Sequence, residues 1–264
     1  MTERRRLELR EEAAVFQSGS QNARALTEDW VERQMFCPNC VSERLSRFPN
    51  NRPVADFFCP NCDEEFEIKG QKTKFGSRVV DGAYSTMIER LNSLSNPNLV
   101  LLQYSLEKPA IHNVMLVPKQ FFVPEIIEQR PPLSPTARRA GWIGCNIRLD
   151  RVPSLGKIFY VEGGIILDPQ VVRSSWNETL SLRSTVSSSR GWLLQVFRVV
   201  ERIKDDTFEL AAVYAAEAEL RELFPGNNNV RPKIRQQLQV LRDLGFIQFL
   251  GQGRYRRVRG PVAG

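Results

Sequence analysis

Apolar positions recur along this chain with two different periods, and the change of period divides it. Up to about residue 180, helical patterns alternate with short apolar runs rich in β-branched and aromatic residues. A polar helix is expected at residues 3–16 and a second at 21–35, with Ser18 or Ser20 as its cap. A further helical stretch covers residues 81–91 and stops before Asn96 and Pro97. Runs at 99–104, 114–117 and 157–161 read as strands. Strands mixed with helices predict an α/β domain with a mixed central sheet.

The polar, serine-rich stretch 181–190 is the best linker candidate. Beyond it, residues 192–203 have helical periodicity through Leu193, Val196, Phe197, Val200 and Ile203. Thr207 opens a second helix, with Leu210, Val213, Tyr214 and Leu220 as its apolar positions. Pro232 starts a third, which ends at Gly245. Residues 246–250 and 255–258 then form a hairpin across Gly251 and Gly253. Three helices and a terminal two-stranded wing make a winged helix-turn-helix. Its third helix turns Ile234, Leu238 and Leu241 inward and leaves Lys233, Arg235, Gln236, Gln237 and Gln239 outside. Glutamine pairs with adenine and arginine with guanine in the major groove, while wing arginines, Arg254 and Arg256 among them, reach phosphates.

Charge strengthens that reading. The whole chain carries 37 Lys and Arg against 30 Asp and Glu, a net +7. Residues 226–264 hold eight basic residues and one acid, so 8 − 1 = +7 accounts for the entire excess. A basic block within a folded pattern is a polyanion surface. No strongly amphipathic basic helix with exposed aromatics points to a membrane.

Candidate chemistry lies between residues 52 and 69. Asp56 interrupts the apolar run Val54, Ala55, Phe57, Phe58, and Glu67 sits between Phe66 and Ile68. Isolated charges in apolar strands are costly unless paired or metal-bound. On a strand, Glu67 and Lys69 share a face while Ile68 points into the core. A hairpin would bring Asp56 beside them. Two carboxylates then offer hard oxygen ligands to Mg²⁺ and a lysine stands over the same spot, a constellation suited to phosphodiester hydrolysis.

Four of the five cysteines, Cys37, Cys40, Cys59 and Cys62, form two Cys-Pro-Asn-Cys knuckles with 18 residues between them. That spacing fits a structural zinc site with no open coordination position. The chain begins Thr-Glu-Arg-Arg-Arg after Met1, so no secretory signal is expected, and a cytoplasmic setting keeps the thiols reduced. Cys145 is left over as a small buried residue. The lone histidine, His112, falls in a strand pattern and is expected to be structural, which argues against histidine-based nucleases and Ser-His-Asp hydrolases. No Gly-x-x-x-x-Gly-Lys-Ser/Thr sequence supports nucleotide hydrolysis.

With these parts placed, the chain resembles the DpnI family of restriction endonucleases over nearly its whole length. The resemblance is carried by Ser20-Gln-Asn-Ala-Arg-Ala-Leu-Thr-Glu-Asp-Trp, both knuckles, Asn50-Asn-Arg-Pro-Val-Ala-Asp-Phe, Asp81-Gly-Ala-Tyr, Pro135-Thr-Ala-Arg-Arg-Ala-Gly-Trp-Ile-Gly-Cys-Asn and Ile234-Arg-Gln-Gln-Leu-Gln. It implies a PD-(D/E)XK catalytic domain at 1–182 with the zinc site embedded in it, and a winged-helix DNA-binding domain at 187–264. It places Asp56, Glu67 and Lys69 at the catalytic positions, with magnesium at Asp56, Glu67 and Ile68. The implied activity is cleavage of double-stranded DNA at GATC carrying N6-methyladenine, leaving 5′-phosphate and 3′-hydroxyl ends. A cytoplasmic monomer is expected.

Arg138, Arg139 and Trp142 join phosphate-binding charge to a flat apolar ring, a candidate methyl reader. A methyl contributes only about 0.8 kcal/mol of burial, so strong discrimination needs an aromatic wall that packs against the methylated edge. Ordinary core is the other role open to Trp142. A non-catalytic zinc and winged-helix regulator explains the cysteines and basic tail but leaves three charges in apolar strands without a reason. A nuclease with the same core acting on another nucleic acid is the third class.

Overall fold

The structure, a computed structural model, describes residues 6–13, 16–49, 55–91, 96–184 and 187–258. The chain packs into two compact units. One draws on Met1–Gly76, Ser93–Lys119 and Leu155–Thr179, the other on Ser77–Asn92, Gln120–Ser154 and Leu180–Gly264.

In chain order the strands are β1 (Ser46–Arg47), β2 (Phe57–Phe58), β3 (Glu65–Gln71), β4 (Arg78–Ala83), β5 (Asn98–Ser105), β6 (Ala110–Val117) and β7 (Ile127–Gln129). They continue with β8 (Gly144–Arg148), β9 (Ile158–Glu162), β10 (Ile165–Ile166), β11 (Thr207–Glu209), β12 (Ile247–Gly251) and β13 (Arg254–Arg257). The α-helices are α1 (Gly19–Gln34), α2 (Tyr84–Leu91), α3 (Pro169–Thr179), α4 (Ser187–Arg202), α5 (Leu210–Tyr214), α6 (Glu217–Leu223) and α7 (Val230–Asp243).

The first unit is built on a seven-stranded sheet of order β1-β2-β3-β5-β6-β9-β10. β3 and β5 pair in parallel and the other neighbours are antiparallel, so the sheet is mixed, as expected. The central run Leu99–Leu102 is buried on every residue, the mark of a strand covered on both faces. Helix α1 buries Leu26, Trp30 and Val31, and the Trp30 indole donates to the Arg6 carbonyl at 2.9 Å.

The second unit holds the antiparallel sheet β4-β8-β7 and the C-terminal helices. Ion pairs lace that sheet. Arg78 and Arg148 bind Glu128 at 2.7 and 2.8 Å and hold its carboxyl near pH 2, well below the usual carboxylate range. Within the same unit Arg198 donates to the Asp150 carbonyl at 3.3 Å and Gln195 to that of Arg151 at 3.1 Å.

Several sequence expectations need correction. Residues 3–16 are not one helix: Glu8 bridges Ala110, Leu9 N–H donates to the Pro109 carbonyl at 3.0 Å, and Glu11–Ala13 is a single 3-10 turn. Residues 1–5, 14 and 15 of that stretch lie outside the described residues. Ser18 occupies the cap position of α1, but its hydroxyl meets that of Ser20 at 2.9 Å and caps no amide. Residues 81–83 belong to a strand because β4 finds β8 as a partner, and the helix starts only at Tyr84. Likewise Thr207 begins β11, which pairs with β13 and makes the wing three-stranded, in order β11-β13-β12. Residues 180–184 form a 3-10 helix and α4 starts at Ser187, so most of the expected linker is helical, and residues 185 and 186 lie outside the described residues. His112 falls in a strand as expected and is exposed there, on β6. Cys145 is buried as expected. Among the described residues, no helix is long and apolar enough to cross a membrane.

Candidate active site and metal centre

The zinc knuckles meet in the first unit. The sulfurs of Cys37, Cys40, Cys59 and Cys62 all lie within 4.8 Å of one another, with Cys37 to Cys62 and Cys40 to Cys59 both at 3.5 Å. Disulfide sulfurs would stand about 2.05 Å apart, whereas four thiolates each about 2.3 Å from one zinc ion lie close to 3.8 Å apart. The donor set therefore fits tetrahedral zinc. Burial pushes the Cys37 thiol up, so a bound cation is what makes thiolate there. The second knuckle is the turn between β2 and β3. Cys59 N–H donates to the Glu64 carbonyl at 2.9 Å, and Asp63 takes a left-handed conformation (φ 56°) to close it. The first knuckle is tied down by Tyr160, whose hydroxyl donates to the Phe36 carbonyl at 3.1 Å, and by the Trp176 indole donating to Asn39 Oδ1 at 3.0 Å.

That closed turn sets the acidic pair. Phe57 lies opposite Phe66 and Phe58 opposite Glu65, so one step on, the register brings Asp56 opposite Glu67. Asp56 N–H donates to the Phe66 carbonyl at 2.9 Å, and Asp56 Oδ2 accepts the Ile68 amide at 2.8 Å. Lys69 Nζ stands 3.0 Å from Glu67 Oε1. Asp56, Glu67 and Ile68 line one open cleft of about 410 Å³, together with Arg24, Thr27 and Tyr104. Ile68 is half-buried along that cleft rather than sunk in the core, because its strand face looks toward α1. Gly70, on the same face, sits so close that a Cβ would stand 3.1 Å from Thr27.

Sequence reasoning missed what α1 contributes. Arg24 joins two carboxylates: its Nε donates to Glu28 Oε1 at 2.5 Å and its Nη2 to Asp56 Oδ1 at 2.8 Å. Glu28 is only 2% exposed and also pairs with Arg47. The Arg24–Glu28 spacing of four on a helix was the available signal. Two carboxylates and a main-chain segment around one cleft suit a hard divalent cation, while Lys69, paired with Glu67, does not line that cleft itself. Val54 and Arg52, which framed Asp56 in the sequence, lie outside the described residues.

The proposed DNA-reading residues belong to the second unit. Arg138 and Arg139 are exposed, and the Arg139 guanidinium lies 4.7 Å over the ring of half-buried Trp142. On α7, Arg235 and Gln236 are exposed and Lys233 half-exposed, with Lys233 Nζ bonded to Gln236 at 2.8 Å and Arg235 held by the Tyr214 hydroxyl. Gln237 contradicts the expectation of an outward side chain. It is 2% exposed, since it falls three residues after Ile234 and four before Leu241, on the buried stripe. Arg254 and Arg256 are exposed on the wing. Their neighbour Arg257 instead serves the fold, donating to the Glu201 carbonyl at 2.8 Å and to Asp206 at 3.0 Å.

Two family models match the chain. One, described as DpnI, Dam-replacing family, covers residues 7–185, and the other, a Dam-replacing HTH domain, covers residues 188–257. The second compact unit draws on both matched segments.

Proposed function

Because this chain belongs to the DpnI, Dam-replacing family, we propose that it cuts double-stranded DNA at GATC sites carrying N6-methyladenine, using magnesium held at Asp56 and Glu67. It is a methylation-dependent restriction endonuclease with a DNA-binding helix-turn-helix domain. The observation that carries the finer reading is one carboxylate, Asp56, fixed by the Ile68 amide opposite a Glu67-x-Lys69 strand, with both acids on one cleft.

Asp56 and Glu67 supply the carboxylate oxygens, and Ile68 can add only its main-chain carbonyl. The Ile68 amide holds Asp56 by Oδ2 and leaves Oδ1 to side-chain or cation partners. When bound there, magnesium activates water and offsets charge on the phosphate. Lys69 holds an ammonium 3.0 Å from Glu67 Oε1, from where it can orient the attacking water and stabilise charge developing on phosphorus. Catalysis is assigned to residues 1–182 and sequence reading to 187–264, with the knuckle zinc purely structural. Arg138, Arg139 and Trp142 provide the methyl-sensitive wall, while Lys233, Arg235, Gln236, Arg254 and Arg256 provide groove and phosphate contacts. The protein acts as a monomer.

The test is digestion of methylated and unmethylated GATC plasmids with and without Mg²⁺, using Asp56→Ala and Lys69→Ala beside the parent chain. Cutting should require methylation and metal and disappear in both variants, while binding to the methylated site persists, because these groups act on the transition state. Cutting by either variant at the parent rate would remove this active site.

A further inference from the structure

The oxygens of Asp56 divide their partners: Oδ2 accepts the Ile68 amide, and Oδ1 accepts Arg24, another cleft residue, at 2.8 Å. Any cation that coordinates Oδ1 must displace or share that guanidinium. Arg24 has somewhere to go. Its Nε is already bonded to Glu28, which is buried and tied to Arg47, so Glu28 forms a fixed post on α1. The arginine itself is open to solvent, with 64% of its side chain exposed.

We propose that Arg24 is a positioning residue that competes with the divalent cation for Asp56 Oδ1. When it yields, Glu28 retains it at the cleft, where its freed donors face the anionic DNA backbone. The proposal rests on the metal reading of Asp56 given above. Such competition keeps cation affinity low until a phosphate arrives to take the guanidinium. Neutralising a carboxylate with one positive charge, and repelling a dication with it at a distance of a few ångströms, is worth about tenfold in affinity at a largely solvated site.

The experiment is Mn²⁺ binding to the full-length, zinc-loaded chain without DNA, followed by calorimetry and by the electron paramagnetic resonance of free Mn²⁺. The variants are Arg24→Met, Asp56→Asn and the double substitution, with circular dichroism and zinc content confirming that each is folded. Asp56→Asn should lose the tightest Mn²⁺ site, Arg24→Met should bind about tenfold more tightly than the parent, and the double variant should show no such gain. If Arg24→Met binds no more tightly while Asp56→Asn loses the site, the competition is overturned and the metal reading stands. If Asp56→Asn keeps the site, the metal reading itself falls, and the competition with it.

Discussion

Gly144 packs against the indole of Trp142: a Cβ at Gly144 would stand 2.8 Å from two carbons of the ring. Real Cβ atoms do not approach aromatic carbons so closely, so the absence of a side chain at one position sets the pose of the other. Arg139 covers the ring as well, at 4.7 Å.

Gly144→Ala should therefore push Trp142 out of place without touching the acidic cleft residues. If Trp142 forms the wall for the methyl group, the ratio of cutting rates on methylated and unmethylated GATC should fall by about fivefold, matching an aromatic contact worth about 1 kcal/mol. Trp142→Ala should do the same. A ratio unchanged in both variants would retire Trp142 as a methyl reader and leave it a packing residue.

Zinc should be present at one equivalent per chain and should hold the β2–β3 turn. Cys59→Ser is expected to lose the metal and to destabilise the first unit by about 3 kcal/mol or more, since binding energy at such sites is folding energy. Elemental analysis together with thermal unfolding checks both points. Active protein free of zinc, or a disulfide between Cys37 and Cys62, would rule the site out.

Glu125 should make stability fall with rising pH. Burial raises its carboxyl above the ordinary value of 4.5, and its Oε2 is buried without a hydrogen-bond partner. A Cβ at Gly191 on α4 would collide with that oxygen, which shows how tightly the helix closes over it. The folded state holds the proton more firmly than the unfolded one, so its contribution is complete below pH 4.5 and is lost as pH rises through the folded-state value. Glu125→Gln removes this dependence. The difference in melting temperature, variant minus parent, should widen from pH 4.5 upward and then level off. A difference that stays constant between pH 4 and 7.5 would show that Glu125 is not shifted.

The local patterns in the sequence specified a good part of this protein. Two Cys-x-x-Cys turns need only their spacing to declare a metal site, and strand alternation alone puts Glu67 and Lys69 on one face. Periods of three and four likewise located α7 and its inward Ile234, Leu238 and Leu241, all fully buried. Where a sequence pattern has two possible partners, the partner decided. Residues 81–83 and Thr207 became strands because β8 and β13 lay ready to pair with them, which no local propensity encodes. Gln237 is polar by type yet buried by position, since the stripe that packs is set by what α7 meets.

The tertiary structure alone joined Arg24 to Asp56, 32 positions apart, and laid Trp142 upon Gly144. The sequence thus determined which groups could do chemistry: the carboxylates, the lysine, the thiolates and the basic tail. That Oδ1 of Asp56 meets Arg24 while Oδ2 meets the Ile68 amide follows from packing a helix against a sheet, because those contacts depend on distances that only the folded chain brings within hydrogen-bond reach.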